Sequence, residues 1–405
     1  MVKINYRDTF RYLIKVKEVC LGADVKALSN VSVLYGLRLN INGCWYIKIS
    51  SKPIGTDYAR TLKPPKAFCG YWVEDAELFK GSVSIGKDVD IDELIMNAQE
   101  LISEFPSINS LSIRAVSEYK EFMSDYVNAS LTRHSYFINA SIPVMGIELR
   151  LSLGVLGTYR NLIDIFRRRI EEVNEDIRSL MRGIRGLKPH ELGKWLVILD
   201  SEASVPLLKF IKKFLIMSKT NLRLLRRKVF IKSIDIVDNP MNDVSINTSF
   251  FDDECVRTTK KVLVEDGEIV SLLSSRVSDV EELPEDVTPG NAYGITNSPK
   301  PDFTTMEVLP GDWSLREIIQ ESKRAILIKG VEWFSFSGST IYLKPRTAWL
   351  VIDGEVKEPI LVRLVRLVFP TSYLKVDCVS KEVRYVCLDR ETYVLPYLRT
   401  IGGIE

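Results

Sequence analysis

The sequence predicts an α+β fold: an N-terminal part of sheet and helices, a long linking helix, and a C-terminal part that is mostly β. Three observations carry this prediction. Apolar residues alternate with period two on both sides of Asn42-Gly43 and again over 147–153. Between Tyr159 and Ile184 they recur at alternating spacings of four and three. Beyond about residue 195, runs of Val, Ile and Leu are separated by Asp-Gly turns.

Residues 7–20 read as a helix, with Phe10, Leu13, Ile14 and Val19 near one face. Leu37, Leu39 and Ile41, then Trp45, Ile47 and Ile49, form a hairpin whose turn is Asn42-Gly43, a pair that readily takes positive φ. An amphipathic helix over 91–105 is stopped by Pro106. A strand follows with Ile147, Leu149, Leu151 and Leu153 on one face. The heptad seam comes next: Tyr159, Ile163, Phe166, Ile170, Val173, Ile177, Leu180 and Ile184. Such a helix packs either on its own sheet or at a subunit interface. Gly183, Gly186 and Pro189 end it, which places a domain boundary between 1–186 and 187–405. In the second part, 261–273, 340–352 and 360–369 read as strands, with tight turns at Asp266-Gly267 and Asp353-Gly354. Two helices interrupt it. One covers roughly 202–217, and the other opens on a capping box of Ser314 and Glu317.

Composition removes several classes of function. In 405 residues the formal net charge is +2, so no overall field draws the chain to nucleic acid or membrane. No apolar run approaches the roughly 18 residues of a spanning helix. The charged N-terminus lacks a signal-peptide core, which points to the cytoplasm. The six cysteines, Cys20, Cys44, Cys69, Cys255, Cys378 and Cys387, are scattered with no Cys-x-x-Cys pair. They read as small buried hydrophobes rather than as a disulfide scaffold or zinc site. His134 and His190 are the only histidines. His190-Glu191 begins like a zinc-hydrolase motif, but Lys194 stands where the second histidine would close it. There is no nucleophile elbow; Ser335-Phe336-Ser337-Gly338-Ser339 imitates one only in composition. Nor is there a phosphate-binding glycine loop. Asp252-Asp253-Glu254 is a carboxylate cluster that could bind a hard cation but reads rather as a solvated acidic loop. The segment 207–232 carries nine basic residues and no acid, with Lys209, Lys212 and Lys213 on one helical face; Arg226 and Arg227 continue the positive run. It reads as a solvated face or as a grip for a polyanion or an acidic partner.

Several segments, in order, resemble the TldD/PmbA family, also described as modulators of DNA gyrase. Phe251-Asp252-Asp253-Glu254-Cys255 is similar to the family's Phe-Asp-Asp-Glu-Gly, with Cys255 in place of glycine. Pro289-Gly290-Asn291-Ala292 resembles Thr-Gly-Asn-Ala, and Pro310-Gly311-Asp312-Trp313-Ser314-Leu315 resembles Pro-Gly-x-x-Ser-Leu. Val351-Ile352-Asp353-Gly354 follows its terminal strands, and Gly36-Leu37-Arg38 with Asn42-Gly43-Cys44-Trp45 resembles its Gly-x-Arg and Gly-x-Trp hairpin. The resemblance implies the fold of that family and a zinc-peptidase ancestry with His-Glu-x-x-x-His on a helix. In the matching helix Lys209 stands at the first histidine, Phe210 at the glutamate and Phe214 at the second histidine. A protonated lysine is a poor zinc ligand, and phenylalanine cannot act as a base. Cys378 falls near the family's later cysteine ligand.

The family's usual pairing of a metal-bearing with a metal-free subunit implies that this chain is of the second, TldE/PmbA-like kind. It is expected to have no catalytic residue, cofactor or activity of its own. Zinc and hydrolysis would belong to a TldD-like partner, and the chain would help to hold an unfolded peptide. The alternative is a homodimeric binding protein that uses 207–232 for nucleic acid or an acidic partner.

Overall fold

A computed structural model describes residues 4–22, 24–54, 69–144, 147–229, 234–369 and 375–405. The first sheet is built from β1 (Ile4–Leu21), β2 (Val25–Ile41), β3 (Cys44–Ser50), β5 (Gly81–Ile85), β6 (Ser110–Met123), β7 (Asn128–Val144) and β8 (Ile147–Leu156), with the short β4 (Tyr71–Trp72) outside it. Its order is β3-β2-β1-β6-β7-β5, with β8 also on β7. Helices α1 (Ile91–Glu104) and α2 (Tyr159–Leu180) cover one face and share a core with Val19, Ile113, Ile138 and Val155.

The expected helix over 7–20 is instead most of β1. The strand is paired along its length, with β2 on one side and β6 on the other. Its alternation is hard to read because polar side chains face inward. Asp8 and Lys17 are buried, the first bonded to Arg38 and the second to Asp88 and the Val89 carbonyl. With those two counted as polar, the remaining apolar residues imitate a helical spacing.

The heptad seam of α2 packs on its own sheet. Tyr159, Ile163, Phe166, Ile170 and Leu180 lie in the first core, and Ile184 falls beyond the helix. Charged residues on other faces of α2 reach the second sheet, through Asp176 to Lys329 at 2.6 Å and Glu172 to Arg384 at 3.0 Å.

Among the described residues the second sheet has twelve strands. Glu391–Ile404 lies inside it, between Thr305–Val308 and Gly193–Leu199; Arg324–Ser337, Thr340–Ile352 and Glu355–Leu361 follow outward. Helix α3 (Val205–Leu215) packs with Val197, Leu199, Ile326, Ile328 and Leu395 on one face. Helix α4 (Leu315–Glu321) packs with Ile198, Ala325, Leu327 and Val351 on the other. The capping box is formed: the Glu317 amide donates to Ser314 Oγ at 3.2 Å, and the Ser314 amide to Glu317 Oε2 at 2.7 Å. The three expected tight turns have positive φ at both central residues, as primed hairpin turns require.

The cysteine expectation is corrected at one pair. Cys44 and Cys69 form a disulfide with Cα atoms 4.4 Å apart, while Cys255, Cys378 and Cys387 are buried. The turn brings the pair together, because the Gly70 amide donates to the Gly43 carbonyl at 3.2 Å. The bridge closes a sequence separation of 25 residues. By loop-closure entropy its reduction is expected to cost about 3 kcal/mol of stability. Denaturant unfolding with and without a thiol reductant checks this; coincident midpoints would refute it.

Candidate functional site

Helix α3 holds the positions that the resemblance assigned to metal and base. Ser204 precedes it and Pro206 lies in its first turn, where a missing amide hydrogen costs nothing. Val205, Leu208, Ile211 and Leu215 face the core. This orients Lys209, Phe210, Lys212 and Phe214 toward the strands at 334–336 and 389–393 and toward Phe369.

None of these side chains can serve a metal. Phe210 stacks on Phe369 with ring centroids 4.6 Å apart, and meets Phe214 at 5.5 Å and Phe336 at 5.9 Å. Lys209 Nζ lies 3.0 Å from Asp389 and 2.9 Å from Glu391. Lys212 Nζ lies 2.7 Å from Asp302 and 3.0 Å from Glu391. Burial alone would raise the Glu391 carboxyl, but the two ammonium groups outweigh it and hold the group below its ordinary range. Burial opposes the charge on Lys212, yet Asp302 and Glu391 hold its pKa above the usual lysine value. Lys213 Nζ lies 4.2 Å from the Phe336 ring centre, at cation–π distance. Cys378 lies on the opposite face of the sheet, buried with Ile318, Trp349 and Tyr397. The structure therefore does not bring it to Phe210 and Phe214. Among the described residues no group of three or more His, Cys, Asp or Glu side chains could hold a metal ion. Zinc does not fit Lys209, Phe210 and Phe214 as α3 presents them.

Three cations of the basic run, Lys209, Lys212 and Arg226, pair with acids from outside the segment. Asp302, Asp389 and Glu391 answer Lys209 and Lys212, and Arg226 pairs with Asp286 at 2.5 Å. Arg227 is exposed, and Lys232 lies outside the described residues.

The acidic triplet is not a solvated loop. Asp252, Asp253 and Glu254 are all buried, at the seam between the two sheets. Asp252 accepts the amides of Glu254, Val256 and Ala292, each at 2.9 Å. Asp253 bonds Lys120 of β6 at 3.0 Å and the Gly294 amide at 2.7 Å. Glu254 Oε2 accepts the Arg276 amide at 2.6 Å, and among the described residues its Oε1 has no partner. The Arg276 guanidinium in turn lies 4.1 Å from the Trp72 ring centre and donates to the Val73 carbonyl. Cys255, at φ 61, adopts the left-handed conformation that glycine takes most easily, which accounts physically for glycine at this place in the resembling motif.

Burial raises Asp252 to about 6, and burial together with the nearby Asp252 charge raises Glu254 to about 8. An unfolded glutamate loses its proton near 4.5. Between about pH 4.5 and 8 the folded chain therefore keeps a proton that the unfolded chain has released, and stability falls as pH rises through that window. Below it the group contributes nothing; above it the penalty is complete. Glu254→Gln is expected to gain at least about 1 kcal/mol relative to the parent between pH 5 and pH 8. Urea unfolding at the two pH values reads this; a constant difference would show that Glu254 does not titrate in the window.

Between α2 and the second sheet lie two adjoining cavities of about 480 and 490 Å³. They share Arg169, Glu172, Arg346 and Arg384. Trp349 and Tyr397 form part of an apolar wall, with Lys329 Nζ 4.5 Å from the centre of the first ring and Arg384 5.5 Å from the second. Ion-paired side chains such as Lys329 with Asp176 and Arg384 with Glu172 also line it, so the cleft offers both apolar contact and fixed charge.

Comparison with known proteins gives the following. The family model of the PmbA/TldA metallopeptidase C-terminal domain matches residues 193–402. A metalloprotease of Methanocaldococcus jannaschii is 25% identical over 151 residues, 37% of this chain and 33% of that protein. A metalloprotease of Methanothermobacter thermautotrophicus is 29% identical over 139 residues, 34% and 30% of the two. The matched stretch thus spans about a third of these relatives. TldE from Thermococcus kodakarensis superposes with a TM-score of 0.74 at 14% identity, covering 98% of this chain and 96% of that one. A proposed modulator of DNA gyrase from Thermotoga maritima gives 0.75 at 17% identity, with the same coverage. At these identities the two structures establish the fold. No helix among the described residues is long and apolar enough to cross a membrane.

Proposed function

Since the chain belongs to the PmbA/TldD metallopeptidase family, we propose that it is a non-catalytic subunit of a zinc peptidase complex. The observation that carries this reading is α3, where the places of two ligands and a base hold an ion-paired lysine and two packed phenylalanines. A TldD-like partner supplies the zinc and performs the hydrolysis. This chain completes the wall of the cavity and helps to hold an extended, unfolded peptide, for which exposed sheet edges and the cleft beside Trp349 and Tyr397 offer surface. We take the chain to divide near residue 186, each part with its own sheet, and to reside in the cytoplasm. The alternative, a homodimer that binds nucleic acid or an acidic partner through 207–232, draws less support because Lys209, Lys212 and Arg226 already have carboxylate partners.

Co-purification from native lysate tests the proposal. The expected result is a near-equimolar relative carrying His-Glu-x-x-x-His, with zinc and peptide cleavage found in the pair and neither in this chain alone. Stoichiometric zinc and cleavage by the isolated chain would overturn it.

A further inference from the structure

Lys261 opens the strand Lys261–Glu265, directly opposite Asp238 on the antiparallel strand Ile236–Asp238. Lys261, Asp238 and Asn291 are all buried, at 6%, 1% and 1% exposure. The three hydrogens of the Lys261 ammonium go to uncharged oxygens: the Thr288 carbonyl at 2.6 Å, the Pro289 carbonyl at 3.0 Å and Asn291 Oδ1 at 2.5 Å. Asn291 Nδ2 donates to Asp238 Oδ2 at 2.7 Å, and Asp238 Oδ1 accepts the Thr304 and Thr305 amides at 2.8 and 3.1 Å. These neighbours fix the orientation of the carboxamide, because a flip would set its amino group against the ammonium and its oxygen against the carboxylate. The backbone of Asn291 is held too: its amide donates to the Ser274 carbonyl at 3.1 Å, and its carbonyl accepts the Asp302 amide at 2.8 Å.

A carbonyl bond of about 1.23 Å places Asn291 Cγ no more than about 3.7 Å from Lys261 Nζ, close to the reach at which a bond can form. Burial works against both charges. It brings Lys261 below the ordinary lysine range and Asp238 above the ordinary carboxylate range, so each stands nearer its neutral form. An amine, a carboxamide and an acid in contact are what amide exchange requires: a nucleophile, an acyl group and a proton carrier.

We propose that Lys261 and Asn291 join in the folded chain through a side-chain amide bond, with Asp238 as the acid–base group. The ammonium proton first reaches Asp238 through the carboxamide, which accepts at Oδ1 and donates from Nδ2. The resulting amine keeps two hydrogens on the Thr288 and Pro289 carbonyls, and its lone pair faces the Asn291 carboxamide. The Nζ–Cγ bond forms and the Cγ–Nδ2 bond breaks. Asp238 gives its proton to Nδ2 and takes one from Nζ, so ammonia leaves, one hydrogen stays on the new amide and the carboxyl is regenerated. Nothing is oxidised or reduced, and no co-reactant enters. The bond ties the start of Lys261–Glu265 to a residue 30 positions further on. It concerns the covalent state of the chain and does not rest on the subunit role proposed above.

Mass spectrometry of the purified full chain, denatured and thiol-reduced, tests this. The expected mass is that of the sequence less one ammonia. Tryptic mapping is expected to give a branched peptide that links Lys261 to Asn291, with no cleavage after Lys261. Lys261→Arg and Asp238→Asn are each expected to restore the full sequence mass. A parent at the full sequence mass, with no branched peptide, overturns the proposal. Ammonia loss that survives in Lys261→Arg also overturns it, because Asn291 can lose ammonia by closing on its own backbone. A branched peptide that persists in Asp238→Asn overturns the role of Asp238. Should a variant fail to fold, the branched peptide in the parent still decides whether the bond exists.

Discussion

Arg38→Ala is expected to lower the unfolding free energy by about 3–5 kcal/mol, because removing one member of a buried ion pair strands the other. Arg38 and Asp8 lie side by side on β2 and β1, both almost fully buried. Arg38 Nε donates to Asp8 Oδ1 at 2.9 Å. The guanidinium lies 4.8 Å from the Phe122 ring centre, 5.3 Å from that of Trp45 and 5.6 Å from that of Phe10. Alanine would leave the Asp8 carboxylate among aromatic rings with neither counter-charge nor water. The preceding Gly36 belongs to the same packing: a Cβ there would come within 1.9 Å of the Phe10 ring. The double variant Asp8→Leu with Arg38→Met, which removes both charges, should cost clearly less than Arg38→Ala alone. Urea unfolding of the three proteins decides. Equal losses in the single and double variants would mean that packing of the arginine stem, and not the stranded charge, carries the effect.

Rebuilding the family's metal motif is expected to damage this chain rather than revive it. Lys209→His, Phe210→Glu and Phe214→His together remove the stack on Phe369, the contacts with Phe336 and the ion pairs to Asp389 and Glu391. They also bury a carboxyl group among aromatic rings. Loss of the large side chain and burial of the polar group are together expected to cost about 3–5 kcal/mol. Lys213, near the Phe210 ring, could answer part of the new charge. The deciding readout is therefore zinc content along with stability. The triple variant should be less stable than the parent and bind no stoichiometric zinc, since Cys378 lies across the sheet. A folded triple variant with one tightly held zinc would show that the site had been lost only at those three side chains.

What could be read from the sequence depended on the range of the forces involved. Asn42-Gly43, Asp266-Gly267 and Asp353-Gly354 were legible because a primed turn makes its demand on two adjacent residues. The capping box at Ser314 and the seam of α2 are equally local. β1 was misread because two of its inward residues, Asp8 and Lys17, have partners far along the chain, Arg38 and Asp88. The acidic triplet fails for the same reason. Besides the local amides of Glu254 and Val256, its hydrogen bonds come from Lys120, Arg276, Ala292 and Gly294, none visible in a window around 252. The acids that pair with Lys209 and Lys212 lie at 302, 389 and 391, so the basic run read alone overstated its free charge. Only the resemblance assigns Lys209, Phe210 and Phe214 to the places of a metal motif, because nothing in Leu208-Lys209-Phe210 by itself suggests one.

The place of Glu391–Ile404 in the second sheet sets an order of assembly. It is the last described strand in the chain, yet it pairs with Thr305–Val308, Gly193–Leu199, Val365–Val368 and Cys378–Leu388. During synthesis these four strands leave the ribosome before the strand that joins them. Without it the sheet divides into two multi-stranded parts, one ending at Thr305–Val308 and the other at Gly193–Leu199, whose open edges chaperones and proteases can recognise. The long loop closures that this joining requires make the second sheet slower to complete than the hairpins of the first sheet.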